Sequence, residues 1–225
     1  MPASKAVLLP DAIDYETAAA IMLKGLTAYY LLFLTWPVRA DETILFQAAA
    51  GGMGLIACQW AKSIGARVIG TAGSAEKVEL ALANGCDAVI NYSEEDFPQK
   101  VRELTNGKGV DVVYDGVGQA TFEKSLDCLR PMGLMVSYGN ATGPVSVPDL
   151  GILSRKGSLF LTRPTGADYF AERPALLAGA KALFAAVESG AIKPHIGQRF
   201  ALADTAEAHR ALESRQTVGS TILLP

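Results

Sequence analysis

The chain has 225 residues, of which 50% are hydrophobic and 19% charged, with a formal net charge of −3. Such a composition supports a sizeable core and excludes a disordered chain, and the acidic balance offers no basic face to nucleic acid. Cys58, Cys86 and Cys128 stand far apart without a C-x-x-C pair; they read as small buried thiols of a reduced, cytoplasmic protein, not as a disulfide framework or a metal site.

The start, Met1-Pro2-Ala3-Ser4-Lys5, lacks the basic and apolar regions of a signal peptide. Asp14 caps a short helix within residues 1–20. The stretch 18–34 is apolar but interrupted by Lys24, Gly25, Thr27, Tyr29 and Tyr30, and Pro37 follows. A membrane span needs about 20 predominantly apolar residues, so this stretch reads as a buried helix and no membrane partner is expected.

Strand-like and helix-like segments then alternate. Strands are expected at 43–48, 67–72, 87–91, 110–115, 134–138 and 158–162, and helices at 52–64, 74–84, 94–105 and 119–130. The connection from the fifth strand to the sixth, around 149–155, is shorter. Gly65, Asn84-Gly85 and Asn106-Gly107 stand where left-handed residues end helices. Ser93-Glu94-Glu95-Asp96 reads as a capping-box variant whose carboxylates favour the positive end of a helix, which accounts for them without a metal. Strands 110–114 and 134–138 are apolar on both faces, as parallel strands covered by helices should be. The fold class is α/β, a doubly wound six-stranded parallel Rossmann sheet in the order 3-2-1-4-5-6. A long helix at 171–189, a strand at 195–201, a helix at 204–214 and a strand at 220–224 remain, and those last strands have no evident partner.

Thr43-Ile44-Leu45-Phe46-Gln47-Ala48-Ala49-Ala50-Gly51-Gly52-Met53-Gly54 has the layout of a dinucleotide-binding βα turn. Ala49 takes the first position of G-x-G-x-x-G, with Gly51 and Gly54 in the second and third. Ala50, Gly51, Gly52, Met53 and Gly54 are candidates to hold a pyrophosphate on the first N–H groups of the helix; an ordinary tight turn is the alternative. In NAD-binding folds a carboxylate about 20 positions past the glycine turn takes the ribose hydroxyl. Here Gly73, Ser74 and Lys77 occupy the strand tip without one, which favours a 2′-phosphate and hence NADPH. Ser74 could equally be a helix cap and Lys77 a solvated lysine.

Tyr92 and Tyr138-Gly139-Asn140 follow strands at the carboxyl edge, where ligands bind in such sheets. Each tyrosine either meets the cofactor or simply covers the edge. Asp115, before Gly116-Val117-Gly118, reads as a turn-former. His195 and His209 lack zinc-ligand spacing. No tyrosine has a lysine four positions on, which excludes a short-chain dehydrogenase. Phe46-Gln47 stands where a methyltransferase would usually carry an acidic residue.

The segments Leu23-Lys24-Gly25-Leu26-Thr27-Ala28-Tyr29-Tyr30, 48–54, Ala57-Cys58-Gln59-Trp60-Ala61-Lys62, Val113-Tyr114-Asp115, Ser125-Leu126-Asp127-Cys128-Leu129 and Glu213-Ser214-Arg215-Gln216 resemble the bacterial quinone oxidoreductases. These form the zeta-crystallin-like, zinc-free branch of the medium-chain dehydrogenase/reductase superfamily. The resemblance implies NADPH-dependent reduction of a quinone or similar enone, in a homodimer joined through strand 158–162. It implies that Ser74, Lys77 and Tyr92 bind the 2′-phosphate end, that Tyr138, Gly139, Asn140, Arg163 and Arg215 hold other parts of NADPH, and that Thr27 lies near the nicotinamide. It also implies three parts: 1–22 as a remnant of a GroES-like catalytic domain otherwise missing, 23–165 as the Rossmann domain, and 166–225 as the return to the catalytic domain. A nucleotide-binding or structural module without turnover is the alternative function.

Overall fold

The computed structural model describes residues 2–214 and 217–225. Asp14 accepts a hydrogen bond from Thr17 N at 2.7 Å and so starts α1 (Tyr15–Tyr29). The helix runs on as π-helical turns through Thr35, so the short helix and the buried stretch expected from sequence are one continuous element. Its 21 residues are long and apolar enough to cross a membrane by length and composition. They pack instead on other helices and on the last strand, with Ile21, Ala28, Leu31 and Leu32 fully buried.

The main sheet alternates strand and helix: β1 (Thr43–Phe46), α2 (Gly52–Ile64), β2 (Arg67–Ala72), α3 (Ala75–Ala83), β3 (Ala88–Asn91), α4 (Phe97–Leu104), β4 (Val110–Asp115), α5 (Phe122–Asp127), β5 (Leu129–Ser137), α6 (Gly151–Arg155) and β6 (Phe160–Thr162). The six strands are parallel in the order β3-β2-β1-β4-β5-β6, as the crossover rule predicts. Side-chain alternation splits the core between the two faces. Ile44, Phe46, Tyr114 and Val136 pack toward α1 and α2, whereas Leu45, Val113 and Met135 pack toward α4 and α5. Gly65 (φ 98°) and Asn106 (φ 52°) take the left-handed conformations that end α2 and α4.

Three local expectations are corrected. Ser93 does not cap α4: its hydroxyl donates to Gly73 O at 3.0 Å, and Asp96, which precedes the helix, pairs with Lys124 at 2.7 Å. The helix expected at 119–130 is only α5, because Gly118 (φ 90°) and the turn after it delay its start and β5 already begins at Leu129. The last strand of the sheet starts at Phe160 and not at 158, since Ser158 has φ 56° and cannot be extended.

Beyond the sheet come α7 (Gly166–Tyr169), α8 (Arg173–Glu188), β7 (Ile196–Ala201), α9 (Thr205–Glu213) and β8 (Ser220–Leu224). Helix α8 packs on α1. The strands left unpartnered by the sequence pair with each other in parallel. They also reach the turn between β1 and α2, through an isolated bridge between Gly219 and Gly51 and a hydrogen bond from Gly219 N to Ala50 O at 3.2 Å.

Candidate functional site

The turn from β1 to α2 is held by backbone geometry. Ala48 lies in the left-handed region at φ 55°, and Gly51 N donates to Ala48 O at 3.0 Å. Gly51 and Gly54 answer different demands. A Cβ on Gly54 would stand 2.5 Å from Ala49 O, so this glycine lets α2 pack tightly on the strand end. Gly51 sits at the N-cap with an open approach, its nearest obstacle being Ala48 O at 3.3 Å. The helix therefore opens with N–H groups that have no helical partner, the arrangement that receives a phosphate.

Beside this turn lies a cleft of about 210 Å³ lined by Ala48, Ala50, Gly51, Thr71, Ala72, Gly73, Lys77, Tyr92, Val117, Ala141, Thr142 and Thr217. It lies at the carboxyl ends of β1, β2 and β4, at the point where the strand order reverses. Five of the expected residues, Ala50, Gly51, Gly73, Lys77 and Tyr92, are brought together there. The Tyr92 ring lies directly over Gly73, where a Cβ would meet its hydroxyl at 2.5 Å. Ser74 caps α3, its hydroxyl accepting from Lys77 N at 3.4 Å. It borders the cleft through Gly73 and is absent from the wall.

A buried polar relay supports the floor. Thr71 Oγ1 donates to Gln47 Oε1 (2.6 Å), Gln47 Nε2 to Ser125 Oγ (3.0 Å), and Ser125 Oγ to Asp115 Oδ2 (2.9 Å). The Asp115 carboxylate also accepts from Thr121 Oγ1, Val117 N and Gly118 N, which makes it the organiser of the turn after β4. None of these groups is left unpaired, so the strand tips that carry the cleft are mutually fixed.

Other expected residues lie elsewhere. Tyr138 packs its ring on Phe46 (5.9 Å between centroids) and over Gly116, and burial pushes its phenol well above 10.0. Gly139, Asn140 and Arg163 line a separate pocket of about 260 Å³ with Ser137, Phe122 and Leu161. Gly52, Met53 and Gly54 form the first turn of α2 without lining the cleft, Met53 packing on the core. Thr27 Oγ1 donates to Leu23 O within α1. Arg215 lies outside the described residues. Thr71, Val117, Thr142 and Thr217 were missed, and Thr217 reaches the cleft only because the C-terminal strands fold back on the glycine turn.

A family profile described as "Zinc-binding dehydrogenase" matches residues 52–178. A quinone oxidoreductase of Salmonella typhimurium is 55% identical over 225 residues, covering 99% of this chain and 69% of the relative. The crystal structure of Escherichia coli quinone oxidoreductase complexed with NADPH superposes with a TM-score of 0.97 at 52% identity, covering 99% of this chain and 69% of that one. A 2-haloacrylate reductase of Burkholderia is 47% identical, with 100% and 68% covered. The chain belongs to the quinone oxidoreductase family.

Within that family the profile's description raises the question of zinc. Among the described residues no group of three or more His, Cys, Asp or Glu is placed to hold a metal ion. Cys58, Cys86 and Cys128 are buried. The Cys58 thiol is pushed well above its ordinary 9.0 by a side-chain hydrogen bond with the Cys86 thiol and by burial, and burial likewise raises Cys128. These are core thiols, and the donor set does not fit a zinc centre.

Proposed function

We propose that this quinone oxidoreductase family member binds NADPH in the cleft beside the glycine turn and uses it to reduce a quinone or similar enone, without zinc. One observation carries the reading: Gly51, Gly73, Lys77 and Tyr92 converge on a single cleft at the sheet's switch point, with no carboxylate in its wall to take a ribose hydroxyl. Lys77 meets the 2′-phosphate, Tyr92 covers the adenosine, and the N–H groups of α2 take the pyrophosphate. The Gly139–Asn140–Arg163 side and Thr27 serve the far half of the cofactor.

When bound, the reduced nicotinamide supplies the hydride. The chain's own part is to fix the cofactor's orientation and to keep water from one face of it, which the relay under the cleft makes rigid. The acceptor class follows from the relatives: one is named for quinones and one for 2-haloacrylate, both having a carbon–carbon double bond conjugated to a carbonyl group. In this reading 23–165 is the dinucleotide-binding unit, 1–22 and 166–225 belong with a catalytic domain, and the protein works in the cytoplasm with α1 as a core helix.

The free outer edge of β6 suggests a homodimer. Phe160 is 60% exposed there and no strand covers it among the described residues. Two copies related by a two-fold axis would extend one sheet across both. The deciding experiment is titration with NADPH and NADH, followed by NADPH oxidation with a soluble benzoquinone. Preferential NADPH binding with turnover supports the reading. Binding without turnover supports a nucleotide-binding module, and equal affinity for both cofactors removes the role given to Lys77.

A further inference from the structure

Lys24 lies on α1 one turn before Thr27, where this helix packs on α2. The end of its aliphatic stem runs over the first residue of α2. A Cβ built on Gly52 would stand 2.8 Å from Lys24 Cε and 2.6 Å from Gly219 O. Glycine at 52 is therefore what admits the lysine. A side chain there would displace either Lys24 or the C-terminal strand.

The ammonium sits one C–N bond, ~1.5 Å, beyond that stem atom. It is thus within reach of the first residue of α2, whose N–H has no helical partner, although Lys24 is not part of the cleft wall itself. Lys24 is half-buried, and burial alone shifts its pKa below 10.5. No hydrogen bond or ion pair to it occurs among the described residues. A cation taken partly out of water without an anion is a cost that folding by itself does not recover. The same side chain becomes favourable once an anion occupies the turn.

We propose that Lys24 is a cofactor-positioning residue whose ammonium meets the pyrophosphate from the α1 side, while Lys77 stands at the β2 end. This rests on the cofactor reading above and deepens it. The two lysines then recognise different parts of the dinucleotide. Lys77 meets the phosphate that distinguishes NADPH, and Lys24 meets the pyrophosphate that NADPH and NADH share. The glycine at 52 acquires a reason that the dinucleotide motif does not supply, since in the motif's spacing it is an unspecified position.

The test is calorimetric or fluorescence titration of the 225-residue chain and its Lys24→Met variant with NADPH, NADH and adenosine 2′-monophosphate, which lacks the pyrophosphate. Methionine keeps the stem over Gly52 and removes the charge. Loss of one charge-assisted contact corresponds to about tenfold in affinity. The variant should bind NADPH and NADH about tenfold more weakly, by the same factor, and the monophosphate within about twofold of the parent. Unchanged affinity for both dinucleotides overturns the proposal. So does a loss that extends to the monophosphate, because the effect would then be damage to the cleft and not a missing pyrophosphate contact. If the parent chain binds neither dinucleotide, the cofactor reading itself fails and takes this one with it.

Discussion

Gly70 in β2 and Ala49 in the turn divide one methyl-sized space: a Cβ on Gly70 would stand 2.7 Å from Ala49 Cβ. Alanine at the first glycine position of the dinucleotide motif is therefore matched by a glycine in the neighbouring strand. Ala49 is fully buried and its methyl faces the sheet and not the cleft. Ala49→Gly should lower stability by about 1 kcal/mol through backbone entropy and a small void, with NADPH affinity unchanged. Gly70→Ala should cost about 1–3 kcal/mol by overpacking. The double variant should recover part of that loss, measurable as a coupling energy in urea denaturation.

Lys77 lines the cleft with Gly73 and Tyr92. A charge-assisted contact to a phosphate contributes about 1.5–3 kcal/mol. Lys77→Ala should weaken NADPH binding by about tenfold or more and leave NADH nearly unaffected. Titration with each cofactor reads the difference, and equal losses would count against the assignment.

Asp115 is fully buried and accepts from four donors: two hydroxyls on Oδ2 and two backbone N–H groups on Oδ1. An asparagine can accept on one side only and presents a donor on the other. Asp115→Asn should therefore destabilise the fold by about 2–3 kcal/mol and loosen the turn at Val117. Thermal unfolding should show the loss, and saturating NADPH should restore part of it.

The edge of β6 should be probed at Phe160. Leu159 is only 6% exposed and packs in the core between β5 and α5, so a charge there would unfold the sheet instead of separating subunits. Phe160→Lys should give a monomer by light scattering with the circular dichroism spectrum retained. A parent chain that is already monomeric, or a variant that stays dimeric, would sink the dimer.

Asp87 ties α2 to β3. Burial opposes its ionisation but is outweighed by the hydrogen bond from Lys62, the Val68 N–H at 2.8 Å and the charges of Lys62 and Arg67, which hold the carboxyl below 3.8. A carboxyl whose folded pKa is depressed adds stability that is present above its unfolded value and lost as the pH falls through the folded one. The midpoint for acid unfolding should therefore move up in Lys62→Met, with the two proteins converging below the folded pKa. Parallel curves across the acid range would show that the pair is not responsible.

The sheet was legible because parallel strands buried on both faces are apolar throughout, and because Gly65 and Asn106-Gly107 mark helix ends with a conformation few other residues adopt. The strand order followed from crossover handedness, and the cleft from the position of the glycine turn in that order. Other features carried no local signal. The pairing of β7 with β8 depends on residues 196–201 finding 220–224 across an intervening helix. The position of Lys24 over Gly52 needs α1 and α2 packed before it can be seen. The direction of the Tyr138 ring likewise shows only in the packed fold: it lies on the Phe46 face, while Ser137 borders the pocket beyond it.

The contact between Gly219 and the turn at Gly51–Gly52 bears on how the protein matures during synthesis. Chains fold as they emerge, beginning from the N-terminal side, and the turn is made long before the strand that docks on it. Until residues 217–219 arrive, the cleft lacks Thr217, Ala50 O lacks its donor, and the space over Gly52 stands open to water. A nascent chain can thus complete the six strands of its parallel sheet while this cleft still lacks part of its wall. On the cofactor reading proposed above, capture should wait for the delivery of one late strand, and a chain ending a few residues before position 217 should keep its sheet and bind NADPH more weakly than the parent.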